Sequence, residues 1–225
     1  MTKLTFLGQS AVLLEADGRS VLVDPFLTGN PKAVTAADDL SPDVILLTHG
    51  HGDHYGDTVP IAKRTGARVV AIVEIANELA EEGLDVADPN LGGTVAFEGG
   101  WVRLVPAWHT NTTPKGTVAI PAGLVIHFGG KTIYHLGDTA LFSDLALPGK
   151  RDRLDAALIP IGGHYTMDRH DGVEAARLVG APVVVPVHYD TFPPIETDAG
   201  AFKQDVENAG IARVEVLAPG ASIEI

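Results

Sequence analysis

The apolar residues of this chain come in short runs separated by turn residues, and that rhythm limits what it can fold into. "KLTFL" (3–7), "SAVLLEA" (10–16) and "RSVLVD" (19–24) read as three strands of a meander, with Asp17-Gly18 as the turn between the second and third. "DVILLT" (43–48) is almost continuously apolar, the pattern of a strand buried on both faces. The spacing then predicts a helix over "TVPIAKRTG" (58–66) closed by Gly66, a buried strand over "ARVVAIV" (67–73) and a helix over "EIANELAEEG" (74–83). Four strands follow: "GTVAFEG" (93–99), "WVRLVPAWH" (101–109), "AGLVIHFGG" (122–130) and "KTIYHLGD" (131–138), the last pair joined through Gly129-Gly130.

The last third alternates strand and helix. "DAALIPI" (155–161) and "PVVVPVHY" (182–189) read as strands around a helix "RHDGVEAARLVG" (169–180). A helix over "TDAGAFKQDVENAG" (197–210), with Thr197 as N-cap and Gly210 past its end, leads to a strand "ARVEVLA" (212–218). Meanders combined with βαβ-like units predict an α/β layered sandwich with helices outside two sheets. No linker or repeat divides the sequence, so residues 1–225 read as one domain.

Composition narrows the function. Twenty-nine acidic residues against 16 basic ones give a formal charge of −13. A field of that sign repels phosphate backbones, so nucleic acid is not an expected partner. There is no cysteine, so any metal must be held by nitrogen and oxygen. No apolar run approaches the roughly 20 residues that span a bilayer, and the start, "MTKLTFLGQS", lacks a signal-peptide core. A cytoplasmic protein without membrane partners is expected. A homo-oligomer stays open.

The chemistry concentrates at "LLTHGHGDHYGD" (46–57), where three of the nine histidines and two aspartates fall between His49 and Asp57. His49 and His51 are two residues apart as the chain leaves a buried strand, so both can face one ion. Gly50 and Gly52 let the backbone turn closely. Asp53 and His54 open a helix and can face a second ion. His109, Asp138 and His188 are further metal-competent residues where buried strands give way to loops, a common location for function.

This order of residues, H-x-H-x-D-H followed by a distant His, an Asp and a His, resembles the metallo-β-lactamase superfamily. "GQSAVLLE", "DPFLTGNP", "HLGDTALFSD", "PIGGHYTMD" and "PVHYDTFP" are similar to its branch of uncharacterised metal-dependent hydrolases, with ascorbate-phosphate lactonases as more distant kin. The resemblance implies a four-layer αββα sandwich with a two-metal site at one edge of the sheets. It implies His49, His51 and His109 on the first ion, Asp53, His54 and His188 on the second, and Asp138 bridging. Zinc suits such ligands, and manganese or iron suits them too. In that branch a histidine is expected where this chain has Gln9.

The activity implied is hydrolysis of a small ester, lactone or phosphodiester by a hydroxide bridging two ions about 3.5–4 Å apart. Asp53 has a second expected role, orienting the hydroxide. His164, after the strand "DAALIPI" and two glycines, is the candidate for a catalytic group that is not a ligand, donating to an oxyanion or a leaving group; a structural role is the alternative. Asp24, in "VLVDP", is either the partner that orients a ligand histidine or a turn residue before Pro25. Tyr165 and Tyr189 are weaker candidates for substrate contact. His127, His135 and His170 read as packed, supporting or surface residues. Lys32 and Lys115 are the only basic residues of the expected rim loops 28–42 and 109–121, where they could meet an anionic group. A nucleic-acid hydrolase on the same fold and a metal-binding protein without turnover are the other readings.

Overall fold

In a computed structural model describing all 225 residues, the apolar runs pair into two seven-stranded sheets. The strands are β1 (Lys3–Gly8), β2 (Ala11–Ala16), β3 (Arg19–Val23), β4 (Val44–Leu46), β5 (Arg68–Val70), β6 (Val86–Ala87) and β7 (Thr94–Phe97). They continue with β8 (Gly100–Pro106), β9 (Ala122–Phe128), β10 (Lys131–His135), β11 (Ala156–Pro160), β12 (Val183–Val187), β13 (Arg213–Val214) and β14 (Ser222–Glu224). One sheet runs β14-β1-β2-β3-β4-β5-β6 and the other β13-β12-β11-β10-β9-β8-β7. Six α-helices accompany them: α1 (Gly52–Tyr55), α2 (Thr58–Thr65), α3 (Val73–Glu81), α4 (Leu147–Arg151), α5 (Arg169–Val179) and α6 (Ala199–Asn208).

Each sheet is half meander and half parallel. β1, β2 and β3 pair antiparallel, with Leu4 opposite Leu14 and Leu14 opposite Val21. Asp17 and Gly18 both take positive φ, 51° and 75°, as a turn matching the strand twist requires. From β3 onward the pairing is parallel, Leu22 to Ile45 and Ile45 to Val69. The second sheet repeats the scheme: β7 to β10 are antiparallel, and β10 to β13 are parallel.

This topology positions the site. Strands β1, β3 and β4 run in one sense in their sheet, and β8, β10, β11 and β12 share one sense in theirs. Gln9, Asp24 and His49 follow the first three. His109, Asp138, His164 and His188 follow the others. Ligand-type residues scattered over the sequence therefore meet at one edge.

The larger core lies between the sheets and under α2 and α3, where Leu14, Leu22, Ile45, Leu104 and Ile126 are fully buried. A smaller one holds α5 and α6 against the second sheet through Ile159, Ala176, Phe202 and Val206. The four-layer αββα order follows. No helix is long and apolar enough to cross a membrane.

Several boundaries differ from the sequence reading. The run 67–73 stops pairing at Val70, and α3 starts at Val73. The run 101–109 leaves the sheet after Pro106, so His109 lies in a loop, and the run 212–218 pairs only at Arg213–Val214. The N-cap of α6 is Asp198, not Thr197: its Oδ1 accepts from the Ala201 amide at 2.8 Å. Strand β14, absent from the sequence reading, pairs antiparallel with β1, and Ser222 Oγ meets Thr5 Oγ1 at 2.8 Å.

Candidate metal centre

Asp138 is the hub. Its carboxylate is buried, with Oδ2 lying 3.0 Å from His188 Nε2, 3.6 Å from His109 Nε2 and 3.9 Å from His49 Nε2. Its Oδ1 lies 3.3 Å from His54 Nε2. One oxygen thus faces three histidines and the other faces a fourth. Asp53 Oδ2 adds contacts of 3.5 Å to His188 Nε2 and 3.7 Å to His54 Nε2. His51 completes the cluster, its Nδ1 facing His49 Nε2 at 3.1 Å. All seven residues expected as ligands from the sequence are brought together.

Three groupings have ligand atoms within 4.8 Å of one another: His49, His51 and His109; His49, His54 and Asp138; Asp53, His54 and His188. His54 Nε2 and Asp138 Oδ1 are buried, face each other at 3.3 Å and make no well-aligned hydrogen bond to each other or to any other group. Buried polar atoms are normally satisfied. Two unsatisfied atoms aimed into a cluster of imidazole nitrogens and carboxylate oxygens are the expected signature of a cation site. The nitrogen and oxygen donor set suits divalent ions such as zinc, manganese or iron.

Three of the ligand-type side chains, His49, His54 and Asp53, are held from behind. Asp24 Oδ1 accepts from the Thr48 amide at 2.8 Å, while Oδ2 accepts from Thr48 Oγ1 at 2.6 Å and from His54 Nδ1 at 2.8 Å. Because the Thr48 hydroxyl gives its proton to Asp24, it must accept from His49 Nδ1, 3.0 Å away. One aspartate therefore orients two histidines and turns both Nε2 atoms toward Asp138. Asp24 fills both roles considered for it, since it also takes a left-handed φ of 46° before Pro25.

Gln9 and Asn111 were missed as supporting residues. Gln9 Nε2 donates to Asp53 Oδ2 at 2.8 Å, and its carbonyl accepts from the His188 amide at 2.7 Å. Asn111 Oδ1 accepts from the Gly50 amide at 2.8 Å, holding the backbone between His49 and His51. A Cβ on Gly50 would lie 2.7 Å from Thr113 Cγ2, so this glycine admits close packing. One on Gly52 would meet nothing within 4 Å, so the sequence argument holds for Gly50 alone. His135 is a brace: its Nε2 donates to the Ser10 carbonyl at 3.0 Å, and its Nδ1 accepts from the Gly137 amide at 3.1 Å, just before Asp138.

Without an ion, the cluster partitions its charge. Burial opposes charge on His54 and His188, yet the adjacent carboxylates outweigh it. His54 is raised well above the ordinary histidine value, and His188 is raised to about 9. Burial works against ionisation of Asp138 and Asp53 as well, and the same histidines hold both below the usual carboxylate range. Burial keeps His49 well below the ordinary value, with His54 adding to the effect.

A cavity of about 500 Å³ opens on the cluster, lined by His51, Asp53, His109, Thr110, Asp138, Tyr165, His188 and Phe192. His164 is not in its wall. It is exposed, and its ring stands edge-on to Tyr165 with centroids 4.5 Å apart. Lys115 is tied to Glu82, and Lys32 lines a separate cavity of about 660 Å³ with Gln9 and Tyr189. Five of the six non-glycine residues with positive φ are Gln9, Asp24, His164, His188 and Asp190, all in loops at this edge.

Comparison with known proteins identifies the family. A beta-lactamase superfamily domain matches residues 3–188. A UPF0173 metal-dependent hydrolase of Thermus thermophilus is 48% identical over 221 residues, covering 98% of this chain and 97% of that protein. One from Pelotomaculum thermopropionicum is 44% identical over 228 residues, covering 99% and 100%. Among solved structures, Igni18, a novel metallo hydrolase from the hyperthermophilic archaeon Ignicoccus hospitalis, superposes with a TM-score of 0.91 at 40% identity, covering 100% of this chain and 99% of that one. The chain belongs to the beta-lactamase superfamily and, within it, to the UPF0173 metal-dependent hydrolases.

Proposed function

We propose that the protein is a binuclear metal-dependent hydrolase acting on a small ester, lactone or phosphodiester. His49, His51 and His109 would hold one ion, Asp53, His54 and His188 the other, and Asp138 would be shared. Bound divalent ions, zinc first among them, supply Lewis acidity that lowers the pKa of water and polarises the oxygen of the scissile group. The chain's own part is orientation. Asp24 presents His54 and, through Thr48, His49. Gln9 donates to Asp53 and leaves that carboxylate's other oxygen free to hold the proton of an attacking water. The buried sides of the cavity keep these groups from being solvated individually.

The observation that carries this reading is the placement of Asp138, with one oxygen toward His188, His109 and His49 and the other toward His54. His49 and His109 belong to the first assigned set and His54 and His188 to the second, so this one carboxylate touches both sets and is placed to be shared between two ions. The test is elemental analysis of protein prepared with excess zinc or manganese, followed by hydrolysis assays with and without chelator. About two ions per chain and chelator-sensitive turnover are expected. A consistent single ion or none in metal-replete protein overturns the two-ion reading.

A further inference from the structure

The wall of the cavity carries more information than its metal-type ligands. Of the eight lining residues, five are His or Asp of the cluster, and the other three are Thr110, Tyr165 and Phe192. None is lysine or arginine. Lys115 is paired with Glu82, and Lys32 opens on the neighbouring cavity beyond Gln9. A phosphate or carboxylate carried away from the reacting bond would find no counter-charge in this wall. Its approach would also be opposed by the formal charge of −13.

Aromatic surface is plentiful at the same place. Tyr165 is 54% exposed, and Trp108, adjacent to His109, is 68% exposed. Phe192 is half-buried with Phe26 behind it, ring centroids 6.3 Å apart, and Trp108 leans on Phe142 at 6.2 Å. Large rings left in water around a cavity, each propped by a neighbour, are suited to cover an apolar group. They come from separate loops, after β8, β10, β11 and β12.

Resting on the hydrolase reading above, we infer that the substrate is an uncharged carboxylic ester or lactone whose apolar group lies against Tyr165 and Phe192. The oxygen of water adds to the carbonyl carbon, and the bond from that carbon to the alkoxy oxygen breaks. One proton of the water ends on the leaving alcohol and the other is released with the carboxylate, so the reaction needs no co-reactant. Phosphodiesters and substrates bearing a remote anion are poor substrates.

The test compares kcat/KM of the metal-loaded chain for 4-nitrophenyl butyrate, mono-4-nitrophenyl succinate and bis(4-nitrophenyl) phosphate. The first two share the reacting bond and differ in a remote carboxylate. The butyrate is expected to exceed both others by about tenfold or more, and the deficit of the succinate should shrink as salt screens repulsion. Tyr165→Ala and Phe192→Ala should raise KM for the butyrate severalfold at unchanged metal content. Equal or faster turnover of the succinate or the phosphate overturns the inference.

A second readout does not depend on turnover. Saturation-transfer NMR on the metal-free chain should show phenylacetamide bound, phenyl phosphate unbound, and the amide signal lost in the Tyr165→Ala, Phe192→Ala double variant. Amide signal unchanged in that variant, or none in the parent, overturns the inference. Amide binding that needs both rings, with no hydrolysis of any substrate, overturns the hydrolase reading instead and supports the assigned ligand class.

Discussion

Asp24 Oδ2 lies 2.8 Å from His54 Nδ1, and both side chains are completely buried. The pair links the end of β3 to α1, and the same carboxylate caps the Thr48 amide and hydroxyl. Asp24→Asn keeps the size and tolerates the left-handed backbone. Its amide nitrogen, however, must face a donor. We expect metal affinity to fall about 10–100-fold and stability to fall by about 1–3 kcal/mol. Calorimetric metal titration and thermal melting read the two effects separately. Unchanged affinity would remove Asp24 from the support of the centre.

The raised pKa of His188 predicts proton release on metal binding. Below its value of about 9 in the ion-free chain, His188 is protonated between Asp138 and Asp53. An ion needs that lone pair, so loading at about pH 7.5 should release at least one proton per chain, and affinity should rise with pH toward that value. Binding heats measured in buffers of different ionisation enthalpy check this, and heats independent of buffer would contradict it. The sign for folding is opposite. Protonated His188 stabilises the ion-free fold fully below its unfolded value of roughly 6.5, and the contribution is lost as pH rises through about 9. Chelated protein should therefore melt lower at alkaline pH.

Two glycines of the metal motif should respond oppositely to a methyl group. A Cβ on Gly56 would lie 2.3 Å from the Pro25 carbonyl oxygen, and its φ is 37°. Gly56→Ala should cost about 1–3 kcal/mol from strain alone and lower metal content by moving α1. Gly52 has open space around its Cβ direction, so Gly52→Ala should match the parent in melting temperature and metal stoichiometry. Equal effects of the two substitutions would contradict the packing described.

His164 stands outside the cavity wall, next to a residue that lines it. His164→Ala should keep the metal content and change kcat by less than about tenfold, with the larger change in KM through Tyr165. A fall of about 10²-fold in kcat at full metal content would assign proton transfer to His164.

The sequence was most legible where local pattern and chemistry coincide. Buried runs such as 43–48 and 182–189 read as strands because they are short, rich in valine and isoleucine and start at or just after a proline, and ligand-type residues at their ends mark the edge that matters. What stayed hidden depends on distant partners. Gln9 stands out in the sequence only as a departure from an expected histidine, and its support of Asp53, 44 positions on, shows only in the fold; Asn111 reads as a loop residue until the Gly50 amide, 61 positions back, is found on its Oδ1. β14 has only three residues and is a strand because β1 offers it an unpaired edge. Lys115 could be placed on a rim loop from sequence, but its pairing with Glu82 across the surface could not.

The left-handed residues Gln9, Asp24, His164, His188 and Asp190 give this edge an evolutionary character of its own. Each such conformation costs about 1–3 kcal/mol that the packed sheets must offset, and none admits a β-branched side chain without further strain. Substitution at these positions is expected to be easiest toward glycine and asparagine, while volume-conserving apolar exchanges in the strands behind should usually cost less than about 1.5 kcal/mol. Selection for heat resistance alone would erode these five positions first, and a thermostable variant obtained that way should be a stiff scaffold with a slackened centre.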